Sequence, residues 1–502
     1  MNDLTLKGDW LERILAQLEY NIEQPMIFSS GLFLVLFCAF ISIYALLRKR
    51  DNARIIYVIA FSLYFYYKSS GVYLLLLIFA ALSDYNIGHA IATSHSQRRK
   101  RWLVALSAAI NLGMLVYFKY TNFFIEIASP LFGAGFMDFQ NIFLPVGISF
   151  FVFQSMSYTI DIYRGAIKPL DRWGDYLFYL SFFPQLVAGP IVRAKDFIPQ
   201  IRKPLHLSQK MLATAIFLIA TGLFKKAIIS DYISLNFVDR VFDDPILYSG
   251  FESLMAIYGY ALQIYCDFSG YSDMAIGIAL MLGFTFPKNF DAPYKSATIT
   301  EFWRRWHISL SSWLKDYLYI SLGGNRKGKA RTYINLIITM LLGGLWHGAA
   351  IRFILWGALH GVALAIHKLW LSLVPGSKGS GDKMRPLSRI AGIFLTFNLV
   401  CLGWLLFRAD SMEVVRTMLH QICHNFGNMS IIEQFLNGYK YVVVLIAIGY
   451  LLHFMPSSWS ERAKEVIMRS GFVGQVALMV ATICLVVLMK SSDIQPFIYF
   501  QF

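Results

Sequence analysis

The sequence predicts an all-α integral membrane protein, with about 11–12 transmembrane helices plus re-entrant segments. Three observations predict it. Of 502 residues, 57% are hydrophobic and 15% charged, against ~45–50% and ~25% in a soluble domain. The apolar residues fall in repeated runs near the ~20 residues that a bilayer-spanning helix requires. The charges between those runs alternate in sign along the chain. This composition excludes a soluble enzyme, a disordered chain and a disulfide-rich secreted domain. The net charge of +15 then reads as Lys and Arg held in cytoplasmic loops, not as a nucleic-acid surface. Cys38, Cys266, Cys401, Cys423 and Cys484 form no CxxC pair, so neither a disulfide framework nor a zinc site is expected.

In chain order, residues 1–25 form an N-terminal amphipathic segment. Asp3, Asp9, Glu12, Glu19 and Glu23 against Lys7 and Arg13 leave no basic region for a cleavable signal. Leu11, Ile14, Leu15 and Leu18 share a helical face suited to the membrane surface. The first span follows at 27–47. Further apolar runs lie at 55–67, 72–92, 103–125, 142–162, 211–229, 253–284, 332–349, 351–374, 390–407, 441–455 and 473–489. The weaker run at 176–190 carries Pro184, Gly189 and Pro190 and is expected to be re-entrant. No internal repeat, soluble domain or low-complexity tract interrupts the series, so residues 26–502 read as one transmembrane domain. Residues 375–389 form a flexible loop, the best candidate boundary between an eight-or-nine-span core and a three-span tail.

The loops fix a direction. Arg48, Lys49, Arg50 and Arg54 are basic, 68–71 nearly neutral, and Arg98, Arg99, Lys100 and Arg101 basic. Residues 126–141 hold Glu126 and Asp138 without Lys or Arg; 164–210 are basic and 231–252 acidic. Residues 285–331 carry nine Lys or Arg against three Asp or Glu. The positive-inside rule places these basic loops in the cytoplasm and both termini outside.

Within the apolar majority, polar residues are expensive and therefore informative. His347, after Trp346 in Gly343-Gly344-Leu345-Trp346-His347-Gly348, ends an apolar helix. The 15 residues from Tyr333 to His347 rise ~22 Å, short of a ~30 Å hydrocarbon core, so the imidazole lies inside the membrane. A neutral His there serves as general base for a hydroxyl or thiol, or simply packs. The neighbouring glycines would admit a substrate or a second helix.

His307 follows Trp303-Arg304-Arg305-Trp306 and either assists His347 or anchors the interface. Asp316 lies too far along for one helical turn with His307 and suits pairing with a nearby cation. His360, with His367 seven residues on, gives no chelate spacing, so packing or a polar substrate contact is expected and no metal site. Asp267 and Asp273 flank Gly270, which suggests a broken helix lining a cavity. They would contact substrate or pair with Arg304 or Arg305. The run Asn325-Arg326-Lys327-Gly328-Lys329-Ala330-Arg331 is a topology signal that also suits the phosphates of coenzyme A or an acidic carrier protein. No P-loop indicates use of ATP.

Several of these segments, in order, resemble the membrane-bound O-acyltransferase (MBOAT) family, and within it the bacterial branch of alginate O-acetylation proteins. They are Val187-Ala188-Gly189-Pro190-Ile191-Val192-Arg193, Asp267-Phe268-Ser269-Gly270-Tyr271-Ser272-Asp273, Phe302 to Leu310, Asp316-Tyr317-Leu318-Tyr319 with Leu322-Gly323-Gly324, Leu345-Trp346-His347-Gly348, and Tyr499-Phe500-Gln501-Phe502. The resemblance covers residues 26–502. It implies an MBOAT-like core with a central tunnel, His347 as the catalytic histidine and His307 as the second signature residue. It also implies a multi-pass protein of the bacterial cytoplasmic (inner) membrane. Such a protein takes an acetyl group from cytoplasmic acetyl-CoA, with no bound cofactor, for O-acetylation of an exported or cell-envelope polysaccharide. Transfer is direct or through a periplasmic SGNH-type partner. Gln185 stands where related sequences often have His, so that position offers no catalytic group. D-alanyl transfer to teichoic acid is the enzymatic alternative. A transporter of acyl donor or glycan is the non-enzymatic one, and the missing repeat weighs against it.

Overall fold

The computed structural model describes residues 12, 16–21, 25–133, 137–187, 189–374, 385–489 and 497. Most of the N-terminal amphipathic segment, residues 375–384 of the flexible loop and the Tyr499–Phe502 motif lie outside the described residues. Every regular element among the described residues is helical. Contacts group them into two compact units. The first holds the residues up to Ser208 with Ile278–Phe286 and Phe497; the second holds Gln209–Gly277 and the residues from Pro287 to Met489.

The first unit is built on α1 (Gly31–Leu46), α2 (Asp51–Ser70), α3 (Leu74–Thr93), α4 (Gln97–Leu115), α5 (Ile148–Tyr163) and α6 (Trp173–Ser181). Ser30 caps α1 by accepting from the Phe33 N–H. The chain turns between α2 and α3 at Gly71, whose φ of 58° suits only a residue without Cβ. The expected re-entrant run appears as α6 followed by the four-residue helix Phe183–Leu186. Both are too short to span and both are buried. Phe183 sits at the centre of an aromatic cluster with Phe40, Phe61 and Phe65. Gln185 is buried there and donates to the Tyr179 carbonyl.

One polar device in this unit escaped sequence reasoning. Asp84 of α3 is fully buried and accepts from Ser107 and Asn111 of α4, both at 2.6 Å, and from Ser155 of α5 at 2.5 Å. Tyr176 of α6 joins through Ser155 at 2.9 Å. Four helices are thus held by one carboxyl group, whose burial is tolerable only because its oxygens are satisfied.

The second unit contains α7 (Gln209–Leu223), α8 (Gly250–Met281) up to Gly277, α9 (Ile299–Arg305), α10 (Ile308–Trp313), α11 (Lys329–His347), α12 (Ile351–Leu373), α13 (Pro386–Arg408), α14 (Lys440–Phe454) and α15 (Gly471–Met489). Helices α11 and α12 form an antiparallel hairpin closed on glycine. A Cβ on Gly344 would stand 2.2 Å from the Phe353 carbonyl oxygen and 3.1 Å from the Gly357 Cα. Packing through small residues is how helices approach without a hydrophobic driving force. The Gly344→Ala variant should therefore separate α11 from α12 at a cost of ~1–3 kcal/mol. A lowered melting temperature of the detergent-solubilised protein would show it.

Six helical stretches among the described residues are long and apolar enough to cross a bilayer: Asp51–Thr93, Gln97–Phe132, Gln209–Asp243, Ile351–Leu373, Pro386–Arg408 and Gly471–Met489. The pair Met429–Gly438 and Lys440–Phe454, bent by 87°, would make a seventh. Other expected runs also fold as helices, but as more polar or shorter ones. Run 142–162 becomes the 16-residue α5, buried along nearly its whole length. Run 332–349 becomes α11, whose first turn carries Lys329 and Arg331. A helix wrapped in protein has no need of an apolar face all round.

Candidate functional site

His347, His307 and Trp346 come together in the second unit. Helix α11 ends at His347 because Gly348 leaves the helix in extended conformation, and the Phe353 ring fills the place of its missing side chain. The His347 imidazole is 3% exposed. It packs edge-on against Trp356 of α12 at 5.0 Å and Phe407 of α13 at 5.2 Å, with Trp346 at 5.0 Å. Of the glycines before it, Gly344 admits the second helix, α12, while a Cβ on Gly343 would stand 3.3 Å from Leu314 Cδ1.

His307 reaches the same cluster from the other side of Trp346. It lies between α9 and α10 with φ 41°, a left-handed conformation more accessible to His than to most residues. This sharp turn brings its side chain to zero exposure. The ring stands edge-on to Phe268 at 4.5 Å and 6.4 Å from the Trp346 ring. Nδ1 lies 3.2 Å from Oδ1 of Asn289. Asn289 also binds Ser309 and Ser272 and is 1% exposed. Nothing in the sequence singled Asn289 out; it stands in a short loop and acquires meaning only through the fold.

His360 of α12 is also fully buried, walled by Trp356 at 4.7 Å, Trp303 at 5.2 Å and Phe302 at 6.2 Å. Neither ring nitrogen has a hydrogen-bond partner among the described residues. This is the environment of a packing ring. His367, on the same helix, bonds Thr300 at 2.7 Å. His453 is a further buried imidazole that sequence reasoning passed over. Its Nε2 accepts from the Tyr294 N–H at 3.1 Å, which ties α14 to the loop before α9.

The acids require a correction. Helix α8 runs unbroken through Gly270, and the glycine serves close approach instead: its Cβ would stand 2.8 Å from the Gly222 carbonyl oxygen of α7. Asp267 and Asp273 pair with lysines, not with Arg304 or Arg305. Lys226 Nζ is 2.6 Å from Asp267 and 2.7 Å from Asp231; Lys225 Nζ is 2.6 Å from Asp273. Both lysines stand on the π-helical turn Phe224–Ser230 that continues α7. That turn advances the register so that successive lysines both face α8. Arg305 pairs with Glu301 and Asp291 instead. Asp316, half-buried, stands on a second π-helical turn, Leu314–Tyr319.

On the far side of Trp303 from His360 lies a cavity of about 340 Å³. Trp303, Leu314, Leu336, Met340 and Leu364 give it apolar walls, while Arg304, Lys315 and Lys368 supply three cations and no carboxylate lines it. Trp303 separates it from Trp356 and His360 at 5.7 and 5.2 Å. Arg326 and Lys327 of the adjoining loop and Lys329 and Arg331 of the first turn of α11 are all exposed. Apolar walls with cations among them suit a ligand that joins an apolar part to an anionic group. No cluster of His, Cys, Asp or Glu suited to a metal ion occurs among the described residues.

The sequence profile of the membrane-bound O-acyltransferase family matches residues 172–407. The chain is 36% identical to the probable alginate O-acetylase AlgI of Pseudomonas putida over 501 residues, covering 95% of this chain and 100% of the relative. It is 40% identical to the probable alginate O-acetylase AlgI of Pseudomonas aeruginosa over 416 residues, 81% of this chain and 76% of the relative. It is 36% identical to the peptidoglycan O-acetyltransferase of Helicobacter pylori over 384 residues, 71% of each.

Proposed function

Since this chain belongs to the membrane-bound O-acyltransferase family and is a multi-pass membrane O-acyltransferase, we propose that it supplies acetyl groups from cytoplasmic acetyl-CoA for O-acetylation of an exported or cell-envelope polysaccharide. The observation that carries the proposal is the burial of His347 beside the Trp346–His307 contact, with Trp356 and Trp303 between it and a cavity of apolar walls and cationic rim. His347 takes the proton of the attacking hydroxyl as the oxygen–acyl bond forms. The carbon–sulfur bond breaks, and the departing thiolate receives that proton. The hydroxyl belongs to the glycan or to a serine of a periplasmic SGNH-type transferase that completes delivery. The names of the relatives, alginate and peptidoglycan acetylating proteins, support a glycan as final acceptor. The positive-inside distribution supports a protein of the bacterial inner membrane with both termini outside.

Purified protein with labelled acetyl-CoA and an acceptor glycan tests the reading. Label in ester linkage supports it. Donor binding or passage without transfer would favour a carrier, and transfer only from a D-alanyl carrier protein would move the donor. The cationic rim gives a separate expectation. Changing Arg304, Lys315 and Lys368 together to Gln should raise the donor KM about tenfold with kcat little changed, since each partly exposed cation contributes ~0.2–1 kcal/mol. The increase should shrink as salt is added.

A further inference from the structure

Asn289 is placed to decide which nitrogen of His307 carries its proton. The Ser309 backbone N–H points at one terminal atom of the Asn289 amide, at 3.2 Å. A backbone N–H can only donate, so that atom is the carbonyl oxygen Oδ1 and the amide orientation is fixed. The other end agrees: Nδ2 donates to the Ser272 hydroxyl at 3.0 Å. The Ser309 hydroxyl also donates to Oδ1, at 2.8 Å, and with its one hydrogen so engaged it can only accept from His307 Nδ1, 3.4 Å away. His307 Nδ1 lies 3.2 Å from the same oxygen. An amide oxygen only accepts, so Nδ1 carries hydrogen. A neutral imidazole has one N–H, and Nε2 is therefore left with a bare lone pair. That nitrogen is buried and has no hydrogen-bond partner among the described residues.

Resting on the reading of His307 as a site residue, we infer that Asn289 is a positioning residue for acyl transfer, holding His307 as its Nδ1–H tautomer so that Nε2 acts only as an acceptor. A buried nitrogen without a partner is costly to keep, and a hydroxyl or thiol of a reacting substrate satisfies it. The rings packed on His307 are Phe268, Phe290 and Trp346. The titratable group beyond them is His347, across Trp346. Of the charged groups on the elements around it, Asp267 pairs with Lys226, Asp291 with Lys288 and Arg305, and Arg305 with Glu301, while Arg304 is exposed and lines the cavity. The Asn289 dipole thus acts on this imidazole without a paired charge on the same ring.

Two measurements test the assignment. Nitrogen-15 imidazole spectra of the reconstituted protein, assigned with His307→Gln, should show Nδ1 protonated and Nε2 bare. The opposite tautomer would overturn the inference whatever the substrates prove to be. The second is the pH profile of kcat/KM with labelled acetyl-CoA. Asn289→Asp keeps every contact, with the Ser272 hydroxyl turned to donate, but adds a charge that favours imidazolium. Its acidic limb should move to higher pH by about one unit or more. Asn289→Leu should lower kcat about tenfold or more, and add nothing in a His307→Ala background. A merely structural Asn289 would leave the acidic limb unmoved in folded Asn289→Asp, and Asn289→Leu would cost the same in both backgrounds. Full activity of His307→Ala would instead remove the underlying reading of His307.

Discussion

Replacing His347 by Gln lowers acyl transfer by about 10²–10⁴-fold, the usual contribution of a general base, and leaves the fold in place. Gln approximates the volume of the imidazole, so the space between Trp356 and Phe407 stays filled. What is lost is a group that accepts and returns a proton near neutral pH. Ester content of the cell-surface glycan and label transfer by purified protein both report it, with thermal melting as the control for folding. Unchanged ester content would sink the assignment of His347. The same exchange at His360 is the internal comparison. Its nitrogens make no hydrogen bonds among the described residues, so His360→Gln should leave turnover near that of the parent. Loss of both activities together would point to the shared Trp356 packing instead of to proton transfer.

The largest effect on stability is expected at Lys226. Its side chain is 3% exposed, as is that of Asp267, and its ammonium joins Asp267 of α8 to Asp231. Lys226→Met keeps the bulk and removes the charge, leaving two carboxylates without their shared lysine. Breaking a buried ion pair from one side costs ~3–5 kcal/mol, and the protein should melt well below the parent. Adding Asp267→Leu to Lys226→Met should recover part of the loss, because a buried pair replaced by apolar groups is often neutral. No recovery in the double variant would mean that the stabilisation lies elsewhere in α8. The neighbouring Lys225–Asp273 pair is about a quarter exposed, so Lys225→Met should cost distinctly less.

The membrane class and the helical fold were legible from composition and run length, because solvent sets those. His347 stood out as a candidate because an ionisable residue in an apolar run is expensive; His307, in a basic loop, stood out only through the resemblance of its Arg-Trp-His segment. The role of Gly270 was not. A glycine between two acids has the same spelling whether a helix breaks there or a neighbouring helix passes close by, and only the position of Gly222 decides. The partners of Asp267 and Asp273 were hidden for a related reason. Arg304 and Arg305 looked eligible by charge. The lysines won because both stand on the π-helical turn Phe224–Ser230 and reach acids of α8.

By itself, then, the sequence determined what can be decided by local composition: that the chain is a helical membrane protein, which segments are apolar, and which few polar residues interrupt them. The tertiary structure alone decided pairings: lysine to acid, glycine to backbone, Asp84 to three donors, and Asn289 to His307. Hydrogen bonds and ion pairs act over about 3–4 Å. Groups tens of residues apart come within that reach only after the helices have packed.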